Sequence, residues 1–180
     1  MSVYRPELHV TVERGILDAA AGILRDGKDI WHMFFQYRTD PDAPSRWGHS
    51  VSEGSAFDWV ECNDAVAPFG GETGVRAGSV VAHSEGADFY FTSVTKAGMS
   101  VQISRADDLD ALCDDVDEDY QVDPGIRRLG DVLSDEGGYT RFRSPCVVPN
   151  WEEADDRDKG QSGWLMLAST GEPEAPVPVV

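Results

Sequence analysis

Apolar positions in this chain fall in short runs of Val, Ile, Phe, Tyr and Trp, separated by Gly, Asp, Ser and Pro. Runs punctuated in this way predict strands rather than helices. Three segments share one pattern. Residues 21–37 read AGILRDGKDIWHMFFQY and residues 77–93 read AGSVVAHSEGADFYFTS; a third copy opens at Ser144 with SPCVVP and closes in GWLMLAST. The first two align without a gap, Ala21-Gly22 on Ala77-Gly78 and Phe34-Phe35 on Tyr90-Phe91. Each copy starts with a short apolar strand (Gly22–Leu24, Ser79–Val81, Cys146–Val148). A polar turn leads into a second strand (Ile30–Tyr37, Asp88–Val94, Trp164–Ser169). The second strands are nearly continuous apolar runs, which predicts burial on both faces. A third, alternating strand follows at Gly48–Glu53 and Ser100–Arg105, and a fourth is expected near Val60–Val66 and Gln121–Leu129.

Self-similar strand units predict an all-β chain of the β-propeller type, with four-stranded blades stacked around an axis. The blades are expected at about 15–68, 76–130 and 141–172, the last stopping after two strands. Residues 1–172 then form a partial propeller domain. Residues 173–180 form a proline-rich tail that cannot enter a central strand. About two and a half blades do not close a ring of roughly four to eight. The open end is therefore expected to be covered by a homo-oligomer partner or by a missing C-terminal portion, unless the strands form a reduced sandwich.

Charge narrows the partners. The 180 residues carry 33 acidic and 15 basic side chains, a net charge of −18. That disfavours nucleic acid and anionic membranes. Three widely spaced cysteines, Cys62, Cys113 and Cys146, show no C-x-x-C. Free thiols are expected, with neither a disulfide framework nor a zinc site, and neither metal nor cofactor is expected. The start MSVYRPELHV lacks the pattern of a secretory signal, so a reducing cytoplasm is the default expectation.

Repeat alignment also converts spacing into geometry. Ala20, Arg76 and Arg143 each precede an equivalent first strand, and Asp18 lies two residues before Ala20. In a propeller the first strands are innermost, so these positions converge on one funnel. A carboxylate beside two guanidiniums suits a polyhydroxylated or anionic small molecule. The competing expectation is that the arginines pair with surface acids.

The segment HVTVERGILDAAAGILRDGKDIWHMFFQYR resembles the opening of the β-fructosidases of glycoside hydrolase family 32, with His9, Thr11, Gly15, Gly22, His32, Phe34, Gln36 and Tyr37 in place. RWGHSVSE is similar to the family's W-G-H-A-x-S segment, Arg76–Val80 to its F-S-G-S-A segment, and FRSPCVV to its R-D-P-x-V segment. The resemblance implies a five-bladed propeller and hydrolysis of β-fructosides with retention, by two carboxyl groups about 5 Å apart. It also implies substrate contacts at Gln36, Trp47 and Arg143; Arg76, which with Ala77 replaces the family's Phe-Ser pair, and Ser144 are substrate-binding candidates by their place at the funnel. The departures fall on the chemistry. Ala19 stands where the nucleophile belongs, with Asp18 one residue away. Ser144 replaces the Asp of R-D-P, and the acid/base Glu belongs to a later blade.

Three other motifs are set aside. Glu61-Cys62 precedes R-S-P and is read as outer-strand sequence. GHSVS at 48–52 lacks the final Gly and the strand–turn–helix setting of a nucleophile elbow. The acidic run at 107–119 misses the Gly and Glu of a calcium loop and is read as a solvated turn. His49 is expected to pack one blade on the next. Three functions stay open: a β-fructosidase with Asp18 as a shifted nucleophile, a non-catalytic sugar-binding propeller fragment, and an anion binder using Arg76 and Arg143.

Overall fold

The computed structural model describes residues 10–13, 15–84, 86–113, 122–134, 141–149, 163–170 and 177–179. Three antiparallel sheets follow the three repeats. The first holds β1 (Ile16–Arg25), β2 (Ile30–Arg38), β3 (Arg46–Glu53) and β4 (Val60–Glu61), in that order. The second holds β5 (Gly74–His83), β6 (Gly86–Val94), β7 (Met99–Ala106) and β8 (Ile126–Leu133). The third holds β9 (Arg143–Pro149), β10 (Trp164–Thr170) and β11 (Val177–Val179). The chain is thus a partial β-propeller.

Strand length follows from turn chemistry. Between β1 and β2, Asp26 Oδ1 accepts the backbone N–H groups of Lys28 and Ile30, both at 2.8 Å. Asp29 takes a left-handed backbone (φ 69°) that tightens the reversal. The second strands are buried along most of their length in the first two sheets, as their apolar runs predict. In β10 the same kind of run is not buried: Trp164 and Leu167 are exposed, because no following sheet packs on them among the described residues.

Sheets stack face to face through their first strands, β1 on β5 and β5 on β9. The largest core lies between the first two sheets, where Phe34, Trp47, Val66, Val75, Phe89 and Phe91 are buried. Phe34 meets the edge of Phe89 with ring centroids 4.8 Å apart and stacks on His49 at 4.5 Å. Two equivalent glycines allow this stacking. A Cβ on Gly22 would lie 2.7 Å from Val80 Cγ2, and one on Gly78 would lie 2.9 Å from Pro145 Cγ. Each is the point where one blade touches the first strand of the next.

Three expectations are corrected. The third blade does not stop after two strands: Val177–Val179, within the proline-rich tail, adds an edge strand to β10, Thr170 opposite Val177 and Ala168 opposite Val179. A proline is tolerated there because β11 is an edge strand. The fourth strands are shifted or short. β4 has only two residues, since the chain leaves the sheet at Cys62 and returns as a single bridge between Val66 and Trp47. Finally, Cys62 and Cys113 form a disulfide, with Cα atoms 5.0 Å apart across 51 residues of sequence. Stacking of the first two blades brings the two loops together, which spacing alone does not reveal. Cys146 is a free, exposed thiol. The calcium-loop positions from Asp115 to Tyr120 lie outside the described residues.

Candidate functional site

The first strands carry irregularities at equivalent places. Pairing shifts between Ala20 and Gly22 in β1, between Arg76 and Ser79 in β5, and between Arg143 and Cys146 opposite β10. β1 has one more shift, between Leu17 and Ala19, which leaves Asp18 unpaired. Such bulges bend a strand and re-aim its side chains. Here they open a cleft of about 680 Å³ near the axis. Its lining includes Asp18, Gln36, Arg38, Arg76, Ala77 and Ser144.

Asp18 is the chemical centre of this cleft. Arg38 grips both of its oxygens, Nε on Oδ2 and Nη2 on Oδ1, each at 2.9 Å. Gln36 Nε2 adds a third hydrogen bond at 3.2 Å. The Arg38 guanidinium holds the Asp18 carboxyl below the ordinary carboxylate range, against a smaller opposing effect of burial. Asp18 is therefore a carboxylate whose two oxygens are both engaged. Ala19, at the position the resemblance gives to the nucleophile, lines the same cleft and offers only a methyl group.

Gln36 has two tasks. While its amide nitrogen reaches Asp18, its Oε1 accepts the backbone N–H of Ala77 at 2.7 Å, tying blade one to blade two. Trp47 sits beneath the cleft rather than in it. Its ring is wholly buried, and Nε1 donates to the Arg76 carbonyl at 3.0 Å. A sugar cannot stack on it, so its part is to support Arg76. Arg76 itself is exposed, and its guanidinium makes no ion pair among the described residues. Ser144 lines the cleft with a left-handed backbone (φ 54°), its N–H donating to Thr92 Oγ1 at 2.8 Å. Arg143 is half-buried beside it but is not among the lining residues. The geometry thus gathers Asp18, Gln36, Arg76 and Ser144, and leaves out Trp47 and Arg143. Arg38 is the residue that sequence reasoning missed. It lies two positions after Gln36 on β2, hence on the same face, and that periodicity was the available signal.

Glu61 ends β4, the outer strand, in keeping with its reading as outer-strand sequence. His49 packs at the blade interface, and its Nε2 lies 3.0 Å from His32 Nδ1. Burial lowers the His49 pKa to about 3, which keeps it neutral.

A polar cleft at the inner strands of an incomplete propeller defines the class of protein. Residues 9–171 match the model of the glycosyl hydrolases family 32 N-terminal domain. The chain belongs to glycoside hydrolase family 32. It is 33% identical to an invertase of Kluyveromyces lactis, in an alignment covering 94% of this chain and 28% of the relative. An invertase of Wickerhamomyces anomalus is 31% identical over 51% of this chain and 17% of its own length. Among solved structures, a fructan 1-exohydrolase IIa of Cichorium intybus in complex with 1-kestose superposes with a TM-score of 0.69 at 16% identity, covering 97% of this chain and 31% of that one. A beta-fructofuranosidase of Bombyx mori superposes with a TM-score of 0.64 at 20% identity, covering 94% and 33%. The chain spans less than a third of the length of the invertases it matches.

Proposed function

We propose that this chain is the substrate-holding part of a family 32 propeller, one that binds β-fructosides but does not by itself cleave them. The observation that carries this reading is the engagement of Asp18. A retaining glycosidase needs a free carboxylate nucleophile and a second carboxyl that stays protonated as the acid. Asp18 has both oxygens committed to Arg38 and a depressed pKa, which suits orienting hydroxyl groups better than attacking a carbon. Around it, Arg76 and Ser144 offer donors to a polyhydroxylated ligand. The kinship with invertases supports the ligand class, a small carbohydrate of the sucrose or fructan kind. Exposed apolar side chains on β1 (Ile16, Leu17, Ile23) and on β10 (Trp164, Leu167) support further propeller packing at both ends of the stack, from a longer polypeptide or a second copy.

Calorimetric titration with fructose and short fructans tests the proposal. Binding should be measurable and should weaken at least tenfold in Arg76→Ala. No release of fructose from sucrose or an aryl β-fructoside is expected. Turnover that vanishes in Asp18→Asn would replace this reading with the enzyme reading. The unpaired Arg76 also favours an anionic ligand such as a phosphorylated sugar; that variant of the proposal requires affinity that falls as salt rises.

A further inference from the structure

Away from the cleft, three soft or borderline donors meet at the interface of the first two blades. His49 Nδ1, Cys62 Sγ and Cys113 Sγ all lie within 4.8 Å of one another. They come from β3, from the loop after β4 and from the loop after β7. We propose that the reduced Cys62–Cys113 pair and His49 form a redox-gated zinc site, occupied when the disulfide is open and abolished when it closes.

Hydrogen bonding behind His49 sets the donor. Asp26 Oδ1 already accepts the N–H groups of Lys28 and Ile30, so Asp26 is an acceptor throughout. Its Oδ2 lies 3.3 Å from His32 Nε2, which therefore carries the proton. Neutral His32 then has a lone pair on Nδ1, 3.0 Å from His49 Nε2, so the His49 proton sits on Nε2. The lone pair of His49 is left on Nδ1, facing Cys113 Sγ at 3.8 Å. His49 is only 1% exposed. While the disulfide is closed, that sulfur has no proton to give, and a buried acceptor aims at a group that cannot donate. A carboxylate–histidine relay behind a ligating imidazole is the usual second layer of a metal site, fixing its tautomer and raising its basicity.

The distances suit zinc. With Zn–S near 2.3 Å and Zn–N near 2.0–2.1 Å, a tetrahedral site separates its donors by about 3.5–3.8 Å. The His49–Cys113 separation of 3.8 Å already lies in that range, Cys62 Sγ lies within 4.8 Å of the imidazole, and the two sulfurs must move apart. Both cysteines are half-buried, so a fourth position is open to water. Two electrons from a thiol or phosphine reductant and two protons convert the S–S bond into two thiols. Binding Zn²⁺ releases those two protons to solvent. Two thiolates then balance the dication, so the blade interface holds no net charge.

The test uses a Cys146→Ser chain, which removes the free surface thiol, reduced anaerobically and freed of reductant. Titration with Co²⁺ should give one equivalent of binding, a thiolate-to-cobalt charge-transfer band in the near ultraviolet and the intense visible bands of tetrahedral cobalt. Zn²⁺ should bleach them with no further proton release, whereas Zn²⁺ added directly to the metal-free reduced chain should release two protons per site in weak buffer. The closed disulfide and the Cys113→Ser variant should show none of this. Asp26→Asn keeps all three donors and should weaken binding by about ten- to a hundredfold. A reduced chain without the charge-transfer band overturns the proposal, and so does a band that survives Cys113→Ser. If reduction unfolds the chain, recovery of strand circular dichroism on adding Zn²⁺ supports the site, and failure to recover overturns it.

Discussion

Asp18 and Arg38 face each other through two parallel hydrogen bonds of 2.9 Å, one to each carboxylate oxygen. This fork converts the carboxylate that sequence reasoning offered as a shifted nucleophile into a fixed, ionised fixture of the cleft. Replacing Arg38 with Leu should return the Asp18 carboxyl upward toward its ordinary value. A ¹³C-detected NMR titration of the Asp18 side chain reads that directly. The folded pKa is lowered, so the pair's contribution is present above the ordinary carboxylate pKa of 3.8 and is lost as pH falls through the lowered value. The stability change should be small, because the pair is screened by solvent.

Trp47 is expected to act on the cleft from below. Trp47→Phe keeps most of the buried ring but removes the hydrogen bond to the Arg76 carbonyl. A loss of about 1–2 kcal/mol in urea unfolding is expected. Fructan affinity should fall with it, because Arg76 loses its anchor. Unchanged affinity in a stable Trp47→Phe variant would separate Trp47 from the cleft.

The blade contacts at glycine allow a matched comparison. Gly78→Ala places a methyl group against Pro145 and the Tyr90 carbonyl, and Gly22→Ala places one against Val80. Gly22→Ala should lose about 1–3 kcal/mol by denaturant unfolding, and Gly78→Ala should lose more, because its methyl group would run into the Tyr90 backbone oxygen. Gly27→Ala meets nothing within 4 Å and should stay within about 0.5 kcal/mol of the parent. Trimming the neighbour, as Val80→Ala, should recover part of the Gly22→Ala loss, since that clash is with a side chain.

Asp64 should give the chain an unusual pH response. It accepts a hydrogen bond from Tyr37 Oη at 2.7 Å and lies 2.5 Å from Arg46 Nε, yet burial outweighs both and pushes its pKa to about 7. The folded state therefore holds a proton that the unfolded chain releases near 3.8. Stability from this group is full below the unfolded value and is lost as pH rises toward 7. Melting temperatures of parent and Asp64→Asn from pH 4 to 7 should diverge in that sense, with the flatter profile in the variant.

Much of the architecture was legible because buried strands cannot hide their apolar runs. β2 and β6 lie within a residue or two of the runs that predict them. β1 is longer than expected, since its first half, Ile16–Ala20, is largely exposed and mixes polar with apolar positions without a clear period. β8 begins later than expected because the run before Ile126 belongs to a turn closed by Asp123. The cleft was legible in part. Repeat alignment brought Asp18 and Arg76 to one place, and it put Arg143 there too, where the structure lines the cleft with the neighbouring Ser144 instead. It could not show that Trp47 and Gln36 join neighbouring blades, because those hydrogen bonds run to backbone groups, which every residue carries. The Cys62–Cys113 bond was illegible for a related reason: it depends on how two blades stack, not on anything near either cysteine in sequence.

The repeated shift in strand pairing at Ala21, Ala77 and Ser144 has an evolutionary reading. A chain grown by copying one unit inherits the same backbone kink in every copy, and with it a ready-made socket facing the centre. The occupant of each socket can then drift without disturbing the sheet behind it. Gain or loss of chemistry in such a protein becomes a matter of single substitutions at fixed addresses, because each kink lies outside the regular strand pairing.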